Sequence, residues 1–388
     1  MKNNLIIIVF ASLLMFACTY HEKRNETIDL KIGNTSVIID SDIEAINIAT
    51  YLIEEYEIRD STLPKTNYQI QVETKFNKYL DHPFIVFLRN KHKDGLGFGK
   101  PQVIYLLSKY DNIQNDRQKE LLKIIGDIKE VEMFIALLRK FQIDTNYNRF
   151  FNEHKEFYNS QIRNLVEDLH GKDPISTDNY GTKMNMKMLE IYVSVLQYPT
   201  SGLCFELSRN DITTIMIACS SKQPDNYYFD GMVGILYHEV AHSYVTPKLF
   251  KYETEIDRKS IHIDKDLLEK MDKHAYGSLR GIINEYITRG ITIVSLKKDS
   301  NNIAADESRE NDLRQDFYFI DEIVKIIEDN WNKDIDMAIY EAVNYLYNKL
   351  LVESKVPNNR FKPIRLWHGC VLLATLVNAQ TAPLRLTA

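Results

Sequence analysis

Residues 229–245, FDGMVGILYHEVAHSYV, carry the pattern on which the fold and the chemistry of this chain depend. Apolar side chains surround the polar positions on nearly all sides: Met232, Val233, Ile235, Leu236, Tyr237, Val240, Ala241, Tyr244 and Val245. A helix that is apolar all round lies in a protein core. We therefore predict a buried helix over about 229–245, in which His238, Glu239 and His242 need partners because buried polar groups are costly without them.

The two histidines of this segment have the spacing of metal ligands. Residues i and i+4 lie about 40° apart around an α-helix, so His238 and His242 project towards one point. Such an HExxH helix offers two imidazole nitrogens to Zn²⁺, and Glu239 lies where it can accept a proton from water. The pattern predicts one catalytic zinc ion with Glu239 as general base. The alternative is a structural helix whose histidines bond to backbone carbonyls, which leaves Glu239 buried without compensation.

A catalytic zinc ion takes three protein ligands and keeps a fourth position for water. Metzincins place a glycine three residues and a histidine six residues after the second histidine; Val245 and Lys248 exclude that class. Downstream, Gly281-Ile282-Ile283-Asn284-Glu285 resembles the gluzincins, zinc peptidases whose third ligand is a glutamate on a second helix. The resemblance implies that Glu285 is the third ligand, the alternative being an exposed helical carboxylate. Thermolysin-like gluzincins have an acidic residue four positions later, where this chain has Arg289, so another group must orient the histidines.

Peptide hydrolysis also needs a hydrogen-bond donor for the oxyanion of the transition state, commonly a tyrosine or histidine near the metal. Three candidates lie close in sequence to Glu285, namely His274, Tyr276 and Tyr286. Each of these side chains has an alternative role in the core or on the surface, since the chain contains 23 tyrosines.

The N-terminus predicts export and lipid attachment. An apolar run from Leu5 to Ala17 follows Lys2 and has the length of a signal-peptide core. Its end, Leu14-Met15-Phe16-Ala17-Cys18, resembles the lipobox of bacterial lipoproteins and implies lipidation of Cys18. The alternative is an ordinary cleaved signal in which Cys18 is incidental. Thr19 follows the cysteine in place of an aspartate, which favours the outer membrane in Gram-negative sorting.

Composition limits the fold class and the partners. The 388 residues are 44% hydrophobic and 26% charged, with only 14 Gly and 10 Pro, which favours a mainly α fold with a small β portion (α+β). The net charge is −6 and no long block of basic residues occurs, so nucleic acid is not an expected partner. The four cysteines form no CxxC pair, so a thiolate metal cluster is not expected.

The predicted organisation is a signal peptide at 1–17, a tether at 18–26 and one domain at 27–388. This domain has a helical N-terminal half at about 41–170 and a zinc-site half at about 200–351. A short hairpin or two edge strands are expected at 27–40, and a hairpin at 203–219. Further helices are expected at about 42–56, 68–90 with an interruption at Asp81-His82-Pro83, 275–297, and 310–351 with a break near Asn332. The strand at 213–219 is expected to be an edge strand that binds an extended substrate beside the zincin-like helix.

This arrangement resembles a family of uncharacterised bacterial envelope lipoproteins, described as a domain of unknown function with a gluzincin-type site. The resemblance is carried by His238, Glu239 and His242, by Ser243-Tyr244-Val245-Thr246-Pro247 and by the later Asn284-Glu285. The hypothesis is zinc-dependent peptide-bond hydrolysis by a lipid-anchored envelope protein acting on a peptide or protein. The alternative is a non-catalytic zinc-containing lipoprotein that binds a peptide or partner chain.

Overall fold

A computed structural model describes residues 26–57, 65–93, 100–109, 128–175, 187–196, 202–207, 212–218, 221–223, 226–228, 232–260, 262–273 and 276–351. The predicted signal peptide, Cys18 and most of the tether lie outside these residues. None of the helices within these ranges combines the length and the apolar character needed to cross a lipid bilayer.

A five-stranded mixed sheet joins the two halves of the described chain. Its strands are β1 (Thr27–Ile32), β2 (Thr35–Asp40), β3 (Met188–Ser194), β4 (Gly202–Leu207) and β5 (Ile212–Ala218), in the order β1-β2-β3-β5-β4. The central pairs, β2 with β3 and β3 with β5, are parallel, and the outer pairs are antiparallel. Two short strands, β6 (Ser221–Gln223) and β7 (Asn226–Tyr228), form a separate hairpin.

Both predicted hairpins are confirmed. Ile32 pairs with Thr35 across the two-residue turn at Gly33 and Asn34, where Gly33 has a φ of +57°. Its Cβ position is also occupied by the Asp173 carboxylate, which accepts a hydrogen bond from the Asn34 amide at 2.8 Å. The second hairpin pairs β4 with β5.

The prediction that residues 213–219 form the edge strand is wrong. β5 lies inside the sheet, because β3 pairs with its other side over the whole register from Met188–Ile212 to Ser194–Ala218. The edge strand at this end of the sheet is instead β4, whose outer side has no partner strand among the described residues. Sequence analysis did not identify β3, and without it the last apolar strand before the HExxH helix was taken as the edge.

The N-terminal half is helical, as predicted. It contains α1 (Ser41–Glu57), α2 (Asn67–Phe76), a 3₁₀ turn (Asn77–Tyr79), α3 (Pro83–Lys93), α4 (Lys100–Lys109), α5 (Ile128–Asp144), α6 (Tyr147–Glu153) and α7 (Lys155–Asp168). Aromatic rings fill its core, with Phe76 5.9 Å from Phe141 and 5.0 Å from Phe150 between ring centroids. α7 packs against β1 and β2 and so attaches these helices to the sheet.

The C-terminal half is a set of helices packed around one central helix. It contains α8 (Met232–Leu249), a 3₁₀ turn (Phe250–Tyr252), α9 (Glu253–Ser260), α10 (Lys265–Asp272), α11 (Leu279–Lys298), α12 (Asn302–Arg314), α13 (Ile320–Asn330) and α14 (Ile335–Leu350). Every residue of α11 from 282 to 296 is buried, and α8, α9, α12, α13 and α14 all pack against it. The predicted mainly α fold with a small β portion is therefore confirmed.

Candidate metal centre

The centre lies where α8 crosses α11. α8 carries the HExxH segment and also packs against β4 and β5, which buries the apolar residues around the histidines. Gly234, one turn before His238, allows α12 to come close, since a Cβ there would lie 2.9 Å from the Ser308 hydroxyl. Ser278 caps α11 by accepting a hydrogen bond from the Gly281 amide at 3.0 Å. Glu285 follows two turns later, facing α8.

The three ligands predicted from the sequence come together. The Nε2 atoms of His238 and His242 are 3.0 Å apart, and their rings meet edge to face. Glu285 places Oε1 3.2 Å from His242 Nε2 and Oε2 3.5 Å from His238 Nε2. No other histidine, cysteine or acidic side chain of the described ranges joins this group of three.

These distances fit a zinc ion. Zn–N and Zn–O bonds of about 2.0–2.2 Å in a tetrahedron place neighbouring ligand atoms about 3.3 Å apart. The three observed separations, 3.0, 3.2 and 3.5 Å, bracket this value. Two imidazoles and one carboxylate are also the donor set of one class of catalytic zinc site. The two imidazoles and the carboxylate therefore lie close enough together to fit a Zn²⁺ ion.

The electrostatics of the group favour a bound cation. Burial, together with the neighbouring His242, lowers the pKa of His238 to about 3, so its imidazole is neutral and keeps a free lone pair at neutral pH. Burial opposes ionisation of Glu285, but the adjacent His242 and His238 outweigh it and hold the pKa of that carboxyl well below its usual range. Burial also lowers the pKa of His242, yet the Glu285 carboxylate more than compensates and the net shift is upward. A buried carboxylate and a neutral imidazole are thus ready to ligate.

A hydrogen-bonded chain behind His242 selects its tautomer. Asn284 donates from Nδ2 to Thr246 Oγ1 at 3.0 Å, which turns its Oδ1 towards Thr288. Thr288 donates its hydroxyl hydrogen to this oxygen at 3.2 Å, so its own Oγ1, 3.3 Å from His242 Nδ1, accepts a hydrogen bond from that nitrogen. An acceptor at this position favours the tautomer in which Nδ1 carries the hydrogen when Nε2 binds a metal. Thr288 supplies the orienting group that the thermolysin-like pattern did not identify.

Arg289 does not orient a histidine but contacts the third ligand. Its Nε donates to Glu285 Oε2 at 3.3 Å, and its Nη1 pairs with Asp312 of α12. Burial raises the pKa of Asp312 to about 6, against the opposing effect of Arg289, so this carboxylate remains largely ionised at neutral pH. The acidic residue near the centre, Asp312, therefore belongs to another helix, and Arg289 bridges it to Glu285.

The structure separates the three candidate donors. Tyr276 lies at the centre, where its hydroxyl accepts a hydrogen bond from Arg289 Nη2 at 3.0 Å. Burial, with the nearby Glu285 charge, raises its pKa to about 12, so the hydroxyl keeps its hydrogen at neutral pH. Tyr286 lies elsewhere, because the next residue of a helix turns 100° away: its ring packs in the core 4.8 Å from that of Phe317. His274 is outside the described residues.

Glu239 lies beside the second histidine. Its side chain is partly exposed, and its charge contributes to the raised pKa of His242. It is not one of the three converging ligands. Glu239 therefore lies near the three converging side chains without being one of them.

Comparison with known proteins places the chain in a family. Residues 37–351 match the family described as domain of unknown function DUF4932. The chain belongs to DUF4932. The matched DUF4932 region extends from β2 to the end of α14 and contains all three converging ligands, Glu239 and Tyr276. No curated protein and no solved structure shows a significant match to this DUF4932 chain.

Proposed function

We propose that this protein is a zinc-dependent peptidase of the gluzincin type. The observation that carries the proposal is the convergence of His238, His242 and Glu285, from two crossing helices, at separations of 3.0–3.5 Å. An HExxH sequence that occurs by chance is not expected to contact a buried glutamate from a helix more than forty residues away.

Two features favour a catalytic over a purely structural zinc site. A structural site closes its coordination shell with four protein ligands, whereas only three converge among the described residues. The side chains of His238 and His242 are 19% and 14% exposed, so neither residue is fully sealed from solvent. A position accessible to water and substrate is what hydrolysis requires.

The chemistry then follows from the residues around the centre. Bound Zn²⁺ supplies a Lewis acid that lowers the pKa of water and polarises a carbonyl. Glu239 takes the proton of the attacking water and passes it to the leaving amine. Tyr276 keeps its hydrogen at neutral pH and would donate it to the oxyanion. Thr288 holds the His242 ring, and Arg289 holds Glu285.

The edge of the sheet supports a peptide as the proposed substrate. Among the described residues β4 has no partner strand on its outer side, and α8 packs against it. A peptide in extended conformation can pair with the outer backbone groups of β4, the strand against which the HExxH helix packs. The substrate we propose is accordingly a peptide or an extended segment of a protein.

The test compares the purified full-length chain with Glu239→Gln and Glu269→Gln. Glu269 is an exposed residue of α10 and controls for the loss of one carboxylate. Zinc is measured by equilibrium dialysis, and cleavage on a mixture of quenched fluorescent peptides. We expect about one zinc per chain in all three proteins and a 10²- to 10⁴-fold lower kcat in Glu239→Gln alone.

Two results contradict the proposal. If wild-type protein binds no zinc, the metal centre itself is wrong. If it binds zinc but wild type and Glu239→Gln bind the peptides equally without cleavage, the zinc-containing binding protein is correct and the enzyme is not.

We also propose that the chain is exported and is anchored to the bacterial outer membrane by a lipid on Cys18. The support is the sequence Leu14-Met15-Phe16-Ala17-Cys18 behind an apolar run. Labelling cells with radioactive palmitate should mark the wild-type chain and not Cys18→Ser. Equal labelling of the two would exclude this anchor.

A further inference from the structure

A buried cation lies directly beside the metal centre. Arg289 is only 9% exposed and sits one turn after Glu285 on α11. Its guanidinium donates to Glu285 Oε2 at 3.3 Å, to Asp312, to the Tyr276 hydroxyl at 3.0 Å and to Gln315 Oε1 at 3.3 Å. The N–H groups of Arg289 thus contact both Glu285, a predicted metal ligand, and Tyr276, a predicted transition-state donor.

The charge of Arg289 would be unfavourable here without Asp312. A guanidinium next to Glu285 neutralises the carboxylate and repels a divalent cation. Asp312 is 3% exposed, lies on a different helix and pairs with Nη1. Because Asp312 balances the arginine, the negative charge of Glu285 remains available to a metal ion.

The geometry of Arg289 is fixed from several sides. Asp312 and Gln315 hold two of its nitrogens, and the guanidinium lies over the Phe317 ring, 4.2 Å from its centroid. The planar group therefore cannot rotate freely, and the directions of its N–H bonds are set. One of these bonds occupies an acceptor site of the Tyr276 oxygen, so the phenolic hydrogen must point elsewhere.

We propose that Arg289 is a positioning residue that orients both Glu285 and the Tyr276 hydroxyl, and that Asp312 is the counter-charge that makes this arginine compatible with a bound cation. The proposal rests on the zinc peptidase function proposed above. It extends the centre to a third helix, α12.

The test uses full-length Asp312→Asn, Arg289→Lys and the double variant Arg289→Met/Asp312→Asn. Asp321→Asn is the matched control, because Asp321 pairs with Arg309 between α12 and α13 on the exposed surface. Four quantities are measured: the Zn²⁺ dissociation constant by competition with a chromophoric chelator, the visible spectrum of the Co²⁺ form, the thermal midpoint in EDTA, and kcat against KM.

We expect Asp312→Asn to bind Zn²⁺ about 10- to 100-fold more weakly than wild type, as is usual when a group behind a metal ligand is lost. Arg289→Lys should change the Co²⁺ spectrum and lower kcat more than it raises KM, since lysine keeps the charge but cannot hold both partners. In the double variant, Zn²⁺ affinity should recover because the uncompensated charge is gone, while kcat stays low because Tyr276 has lost its donor. Asp321→Asn should match wild type within twofold.

A merely structural role predicts a different result. In that case the thermal midpoint falls in Asp312→Asn and Arg289→Lys, while the Zn²⁺ dissociation constant and the Co²⁺ spectrum match those of wild type; this outcome overturns the positioning proposal alone. Wild-type protein that binds no Zn²⁺ would instead remove the proposed function, and this proposal with it.

Discussion

Replacing Thr288 with valine should weaken the metal centre while preserving the fold. Thr288 is fully buried on α11, and valine has nearly the same shape. The substitution removes the acceptor 3.3 Å from His242 Nδ1 and the donor 3.2 Å from Asn284 Oδ1. His242 can then rotate or adopt the other tautomer, in which Nε2 carries the hydrogen and cannot ligate.

The magnitude follows from these two contacts. Loss of a group that orients a metal-bound histidine costs about 10- to 100-fold in metal affinity, which corresponds to about 1.4–2.7 kcal/mol. In the absence of metal, the variant lacks both hydrogen bonds, and His242 Nδ1 and Asn284 Oδ1 lose a partner. We expect this loss to lower the free energy of unfolding by about 1–3 kcal/mol. Burial of the additional methyl group offsets part of this loss.

The assay measures the Zn²⁺ dissociation constant by chelator competition, with Thr292→Val as the control. Thr292 is also a buried threonine of α11, but its hydroxyl bonds to the Thr288 carbonyl at 2.9 Å and does not contact a ligand. We expect weaker binding in Thr288→Val alone. Equal dissociation constants in wild type and both variants would refute the role given to Thr288.

Three further predictions concern the donor, the packing and the pH dependence. Tyr276→Phe should lower kcat about 10²- to 10³-fold with zinc content unchanged, as measured by steady-state kinetics and metal analysis; an unaltered kcat would contradict the donor role. Gly290→Ala should reduce the unfolding free energy by about 1 kcal/mol despite the better helix propensity of alanine. The reason is that the new Cβ would lie 2.6 Å from Ile323 Cγ2 and 2.8 Å from Ile327 Cδ1. A more stable variant in denaturant unfolding would contradict this prediction. Burial raises the pKa of Glu44 from 4.5 to about 7, so the folded state binds this proton more tightly than the unfolded chain does. The free energy of unfolding therefore falls by roughly 3 kcal/mol as pH rises through this interval. Glu44→Gln should reduce this dependence of the unfolding free energy on pH, measured by denaturant unfolding between pH 5 and 8, and an unchanged dependence would contradict the prediction.

Local patterns in the sequence were sufficient for the two helices of the candidate centre and for the shared face of His238 and His242. The predicted helices at 229–245 and 275–297 correspond to α8 (Met232–Leu249) and α11 (Leu279–Lys298). Apolar periodicity and the HExxH spacing are properties of neighbouring residues, and they do not depend on the rest of the fold. Glu285 was the exception, because it came from a resemblance to gluzincins and not from periodicity.

The parts that the sequence did not reveal depend on contacts between distant segments. β3 pairs with β2, about 150 residues earlier, and no local pattern signals that register. The error about the edge strand followed directly from this missing strand. Asp312 is likewise 23 residues from Arg289 and on another helix. Thr288 was within reach, since it lies three residues after Glu285 and faces α8, but an ordinary buried threonine gives no distinguishing signal.

The measurement that tests the central claim most directly is anomalous X-ray scattering at the zinc absorption edge, on crystals of the full-length protein equilibrated with Zn²⁺. We predict one strong peak within bonding distance, about 2.0–2.2 Å, of the Nε2 atoms of His238 and His242 and of a carboxylate oxygen of Glu285. A peak bound to other residues, or no peak between α8 and α11, would contradict the account.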